Sequence, residues 1–212
     1  MRTIAQTRPC AAVGSPGLLR LLAEDLRTVV ERDPATRNAL EALLHPALPA
    51  VWTHRVAHPL HRRGRRLSAR LLMLLARAFT GTEIHPGAVL GRRVFIDHGA
   101  GVVIGETAVV GDDVTIYHQV TLGAVGWWRD RRRSAGERRH PVVGDRVVLG
   151  TNATVLGPVT VGHDAVIGAQ ALVIDDVSSH SRALAPAAAV SLRDGRSHAV
   201  ALLRHTASAG CW

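Results

Sequence analysis

The chain has 212 residues and a formal net charge of +9, and all 26 of its basic residues are arginine. Hydrophobic residues make up 47% and charged residues 20%, the balance of a globular chain long enough to bury a core. Aromatics at 3% exclude a ring-filled interior, and no aromatic–basic interleaving of the kind used by single-strand binders is present.

The positive balance therefore suits an anionic small substrate better than nucleic acid. Cys10 and Cys211 stand near opposite ends and form neither a disulfide framework nor a metal-ligand spacing. Residues 1–17 lack the apolar run of a signal peptide, and the run Leu71–Leu75 is short and bracketed by Arg70 and Arg77. A cytoplasmic protein with no membrane and no nucleic-acid partner is expected.

Residues 1–16 read as disordered, broken by Pro9, Gly14, Ser15 and Pro16. From Leu18 the spacing is helical, with Leu18, Leu21, Leu22, Leu26, Val29 and Val30 on one stripe. Asp33-Pro34 stops this helix, and Pro34 is placed to open the next. ATRNALEALLHP predicts a second helix, AVWTHRVAHPL a third, and RRLSARLLMLLARAFT a fourth closed by Gly81. Residues 17–81 are thus a small helical domain.

After Gly81 the period changes. Ile84, Leu90 and Ile96 stand six apart, as do Ile104, Val110, Ile116 and Leu122, and then Val143, Leu149, Val155, Val161, Ile167 and Val173. Four positions after each comes a small or β-branched residue, such as Ala88, Val94, Ala100, Ala108 and Val114. Thirteen such beats are a hexapeptide repeat. Each six-residue unit is a short strand plus a turn, and three units close one triangular coil with the aliphatic residue inside. The expected fold is α+β: the helical domain, then a left-handed parallel β-helix over 82–178, then a tail over 179–212.

A repeat that packs only on itself gains nothing from irregularity, so its breaks are where function is sought. There are two. Ile96 to Ile104 spans eight residues instead of six, and Asp97 and His98 sit in that break. The second break, residues 124–142, must project as a loop and carries six arginines against Asp130 and Glu137. His98 has Asp97 beside it, and Glu83 precedes it by close to the period of a coil. A carboxylate bonded to one imidazole nitrogen fixes the tautomer and frees the other nitrogen to take a proton from an alcohol. No G-x-S-x-G elbow is present and neither cysteine is near a break, so a covalent enzyme intermediate is not expected. His85, His98, His118 and His140 are candidate metal ligands, but the N-terminal helical unit speaks against a zinc site, and no metal is expected.

At these residues the chain resembles the serine O-acetyltransferases, a family of hexapeptide-repeat acyltransferases. The likeness runs from about Val30 to Val177. It rests on RDPA at Arg32–Ala35, HRVAH at His54–His58, the run EIHPGAVLGRRVFIDHGAGVVIGETAVVGDDVTIY at Glu83–Tyr117, VTLG at Val120–Gly123 and RHP at Arg139–Pro141. The resemblance implies acetyl transfer from acetyl-CoA, a co-substrate and not a tightly bound cofactor, to the hydroxyl of L-serine by direct attack. It implies His98 as general base with Glu83 as its acidic partner, Asp33 and Asp97 holding the substrate ammonium, and Arg139 and His140 holding its carboxylate. The two breaks would then be two walls of one pocket. CoA would lie along the outside of the β-helix between neighbouring subunits of a homotrimer, near Gly123, Ala124, Thr151 and Ala169, with backbone groups at Gly123-Ala124 polarising the thioester. A dimer of trimers joined through the helices is also implied.

The chain departs from the family pattern in four places. Gly123-Ala124 stands where Gly-Gly is usual, Thr151 where alanine is usual, and LAPAA at Leu184–Ala188 where GVPAR is usual. The projecting loop is longer than is typical and contains Trp127-Trp128. These changes motivate an alternative, an acyltransferase of the same architecture acting on another hydroxylated amino acid. Long-chain members end in Ile and insert that tail into cysteine synthase. This chain ends in Cys211-Trp212, so that complex is not carried over.

Overall fold

The computed structural model describes residues 17–134 and 137–188. The segment 1–16, read above as disordered, lies outside the described residues, as do most of the tail and both cysteines.

The four expected helices form: α1 (Leu18–Arg32), α2 (Ala39–Leu43), α3 (Leu48–Arg62) and α4 (Arg66–Thr80). Pro34 does not open the second one. The Asp33 carboxylate instead accepts from the Ala35 N–H and the Thr36 hydroxyl, which holds a turn, and Asn38 caps α2 by accepting from the N–H groups of Leu40 and Glu41. Glu41 reaches back past the cap, accepting from the Arg37 N–H and the Asn38 side-chain amide. Gly81 closes α4 in the left-handed conformation, as expected.

Then come the short strands β1 (Glu83–Ile84), β2 (Val89–Leu90), β3 (Phe95–Ile96), β4 (Val103–Ile104), β5 (Val109–Val110), β6 (Thr115–Ile116) and β7 (Thr121–Gly123). A one-turn helix α5 (Trp127–Asp130) occupies the projecting loop. After it follow β8 (Val142–Val143), β9 (Val148–Leu149), β10 (Thr154–Leu156), β11 (Thr160–Val161), β12 (Val166–Ile167), β13 (Leu172–Val173) and β14 (Arg182–Ala183). They pair in parallel as three faces of a prism: β1-β4-β7-β10-β13, β2-β5-β8-β11 and β3-β6-β9-β12-β14. This is the β-helix that the repeats predict. All thirteen aliphatic beats are buried inside it. The coil runs one strand beyond the expected boundary, because β14 pairs with β12 although no large aliphatic residue marks it.

One corner position is corrected. Ala100 is exposed, and Val102 is the buried residue there. The two extra residues of the first break lie before Val102, so the repeat resumes on Val102 and Ile104. The first coil is lengthened accordingly: it runs from Glu83 to its partner Val103, whereas the next, from Val103 to its partner Thr121, keeps the regular period.

The helices close the open end of the prism. A β-helix leaves its first coil with unpaired carbonyls, and α3 answers them. His54 donates from Nε2 to Ala88 O, His58 from Nδ1 to Pro86 O, and Arg55 to the carbonyls of Leu90 and Gly91. Arg55 also grips Asp25 of α1 through two hydrogen bonds, both side chains being buried. The apolar core is continuous from Val51, Ala57 and Met73 into the coil interior. Among the described residues no helix is long and apolar enough to cross a membrane.

Candidate active site

The first break in the repeat is a tight double turn. Elsewhere at two of the three corners the turns use one left-handed residue three positions before the aliphatic beat, such as Arg93, Asp113 and Gln119. Gly101 fills that slot before Ile104, and the insertion adds two more left-handed residues, His98 at φ 59° and Gly99 at φ 78°. The turn carries the imidazole outward, 69% exposed, with Nε2 3.8 Å from Asp97 Oδ1. The ring stands edge-on to His118, centroids 5.7 Å apart.

Asp33, at the end of α1, belongs to the same corner. Its carboxyl is held below the ordinary range first by the Thr36 hydroxyl and then by the Ala35 N–H, with the imidazoles of His45 and His98 pulling the same way. Asp33 therefore lies within electrostatic reach of His98, which stands beside Asp97 in the turn. His45 joins them, and sequence reasoning missed it because nothing in the helical spacing ties that residue to the turn.

Glu83 sits differently. It aligns with Val103 and not with His98, since the inserted residues lengthen the coil there, and its carboxylate is bonded to Arg77 at 2.9 Å.

Arg139 and His140 end the projecting loop, just before β8. His140 is buried against Gly105, where a Cβ would lie 2.0 Å from the ring. The Thr107 hydroxyl accepts from the N–H groups of Arg139 and His140 and lies 2.9 Å from His140 Nδ1. The Thr107 N–H also donates to that nitrogen, so Nδ1 is the acceptor and Nε2 carries the proton. Burial, and secondarily the Arg139 charge, holds His140 below its ordinary pKa and neutral. Arg139 is paired with Glu106, a residue sequence reasoning did not single out. Partial burial raises the Glu106 carboxyl, but His85 and Arg139 outweigh this and hold it low.

The two breaks are not walls of one pocket within a chain. His98 lies on the corner between the third and first faces, whereas Arg139 and His140 lie on the corner between the first and second. The groove residues divide in the same way. Thr151 and Ala169 stack above His98 and His118 on the first corner, as the ladder from Ile96 through Ile116 and Leu149 to Ile167 requires. Gly123 and Ala124 lie toward the other corner, at the end of β7. The four candidate metal ligands split likewise, His85 with His140 and His98 with His118. His61, His85 and Glu106 bring ligand atoms within 4.8 Å of one another. His85 Nδ1 already accepts from the Gly87 N–H, and Glu106 already holds Arg139, so these groups are engaged in hydrogen bonds of their own.

A bacterial transferase hexapeptide family (six repeats) matches residues 140–175. The chain is 54% identical over 149 residues to a serine acetyltransferase of Mycobacterium tuberculosis, covering 70% of this chain and 62% of that one. It is 52% identical over 144 residues to a serine acetyltransferase of Helicobacter pylori, covering 68% of this chain and 80% of that one. The chain belongs to the serine acetyltransferase family. The crystal structure of the Neisseria gonorrhoeae serine acetyltransferase in complex with serine superposes with a TM-score of 0.70 at 37% identity, over 78% of this chain and 65% of that one. The helices followed by a left-handed β-helix are thus a serine acetyltransferase fold. The chain spans about three fifths of the mycobacterial relative's length.

Proposed function

We propose that this protein transfers an acetyl group from acetyl-CoA to the side-chain hydroxyl of L-serine, at a site that two neighbouring copies of the chain build together. The observation that carries the reading is the inserted turn, which sets an exposed imidazole beside Asp97 and Asp33 on the outer edge of the prism.

In this reading His98 takes the hydroxyl proton as the serine oxygen attacks the thioester carbonyl carbon. The new C–O bond forms, the C–S bond breaks, and the departing thiolate recovers the proton from the imidazolium. Asp33 and Asp97 receive the substrate ammonium. Arg139 and the neutral Nε2–H of His140, supplied by the neighbouring copy, receive its carboxylate. Asp97 is the carboxylate nearest the His98 ring, and Glu83 serves as the acidic partner once it leaves Arg77. Backbone groups at Gly123-Ala124 polarise the thioester, and Thr151 and Ala169 line the CoA groove.

A trimer supplies this pairing of corners three times over. The exposed stripe of Leu67, Leu71, Leu74, Leu75 and Phe79 on α4 is apolar surface of the kind that association covers. The reaction belongs to the cytoplasm, where acetyl-CoA is available.

Thiol release from acetyl-CoA, assayed with L-serine, L-homoserine, L-threonine and no acceptor, tests the proposal. Release with serine supports it. Release only with another acceptor assigns the site to a different hydroxylated amino acid, and silence with all of them overturns acetyl transfer.

A further inference from the structure

The projecting loop returns to the coil at a fixed place, and one threonine marks it. The turn Gly105–Ala108, closed by the Ala108 N–H on Gly105 O at 3.1 Å, carries Thr107 at its third position. β5 follows this turn and pairs with β8, Val109 beside Val142. The same register carried two residues back sets His140 over Thr107, although the whole loop separates them in sequence. The Thr107 hydroxyl meets the returning chain at three atoms: the Arg139 N–H at 3.0 Å, the His140 N–H at 3.1 Å and His140 Nδ1 at 2.9 Å.

A hydroxyl has two lone pairs and one proton. The two backbone N–H groups take the lone pairs, so the proton is left for Nδ1. The Thr107 N–H points at the same nitrogen, 3.2 Å away. A proton on Nδ1 would therefore face two donors, and only the Nε2–H tautomer fills every hydrogen-bonding position of the hydroxyl. Turning the buried ring over would not help, because a C–H would then stand where Nδ1 accepts and both bonds would be lost. The hydroxyl thus fixes two things at once: the backbone that carries Arg139, and the tautomer of the ring beside it. Serine would keep the oxygen. Valine would match the shape of threonine and leave two N–H groups without an acceptor.

Resting on the reading above, we infer that Thr107 is a positioning residue for the acceptor carboxylate: its hydroxyl anchors the Arg139-His140 backbone and fixes the His140 tautomer, so that Nε2–H is the donor offered to the acceptor. The test measures both KM values, kcat and thermal melting for Thr107→Val and Thr107→Ser. Thr107→Val should raise the serine KM about ten- to a hundredfold, the loss of one hydrogen bond to a charged group, and leave the acetyl-CoA KM within about twofold. Thr107→Ser keeps the oxygen and should hold the serine KM within about threefold of the wild type. A folded Thr107→Val protein with an unchanged serine KM, or with both KM values raised alike, overturns the inference. So does a Thr107→Ser protein as weak for serine as Thr107→Val, since the methyl group and not the hydroxyl would then be responsible. The tautomer is read separately, from long-range proton–nitrogen correlation spectra of the nitrogen-labelled wild type, with His140→Gln identifying the signals. An unprotonated Nδ1 and a protonated Nε2 are expected, and the reverse overturns the inference even where Thr107→Val does not fold. A wild-type protein silent with serine overturns the proposed function instead, and the ring nitrogens report the tautomer in either case.

Discussion

The imidazole of His140 takes the space that a side chain at Gly105 would need: a Cβ at that glycine would stand 2.0 Å from Cδ2 and 2.1 Å from Nε2. The loop's exit is therefore locked to the coil below it by a missing methyl group, together with the Thr107 hydroxyl. Gly105→Ala should push the ring and the adjoining Arg139 away from their seat. Overpacking of this kind costs about 1–3 kcal/mol, and a urea melt should register it. The serine KM should rise in the same variant, and an unchanged serine KM would separate His140 from acceptor binding.

His98→Ala removes the only imidazole that the inserted turn presents. Loss of a general base typically lowers turnover by about 10²–10⁴-fold. The side chain is exposed, so melting should be nearly unaffected. Near-normal turnover in initial-rate assays would remove His98 from the chemistry.

Arg139→Ala should raise the serine KM far more than the acetyl-CoA KM, because a guanidinium–carboxylate contact touches one substrate and not the other. Since His98 and Arg139 occupy different corners, the two single variants should also complement each other. Unfolding His98→Ala and Arg139→Ala together in equal amounts and refolding the mixture should restore about a quarter of the sites, those that combine two intact corners. A site contained in one chain would give no recovery.

Acid should destabilise the fold well above the carboxylate range. Burial pushes His54 down to about 3, and His85 down to about 4. For a depressed imidazole the unfolded chain binds the proton first, at its ordinary pKa near 6.5. The stability these rings contribute is whole above that value and falls as the pH drops from 6.5 toward the folded pKa. The lowered carboxyls of Asp33, Glu106 and Asp113 add to the loss further down. Unfolding free energy measured between pH 7 and pH 4.5 should slope accordingly. His54→Gln should be less stable at pH 7 but show a shallower slope, and an unchanged slope would contradict the assignment.

Much of this molecule is legible in one dimension. The helical stripe from Leu18 to Val30 forms α1, Gly81 ends α4, and thirteen aliphatic beats are all buried as the period requires. The break at Asp97-His98 also marked where an imidazole turns outward, because an insertion in a self-packing repeat has to leave the core. Elsewhere local pattern was insufficient. Pro34 looked like a helix opener, yet the Asp33 side chain captured the backbone first. Ala100 looked like a corner residue because counting forward from Ile96 ignores where the two extra residues are inserted. Glu83 precedes His98 by fifteen residues, close to a coil, but the break lengthens that coil, so the Glu83 backbone aligns with Val103 and its carboxylate is held by Arg77.

The sequence alone determined which side chains face inward, which turn is irregular and which residue types are set outside, since these depend only on a six-residue period and its interruption. The tertiary structure decided which outward residues share a corner. That depends on the summed length of every turn and loop between them. Val103 reaches its partner Thr121 through a regular coil, whereas Thr121 reaches Thr154 only after the whole projecting loop, so equal spacing along the chain does not mean one edge of the prism. Folding also brought Ala47 of the helical unit against Gly99 of the inserted turn, a contact written in no local pattern.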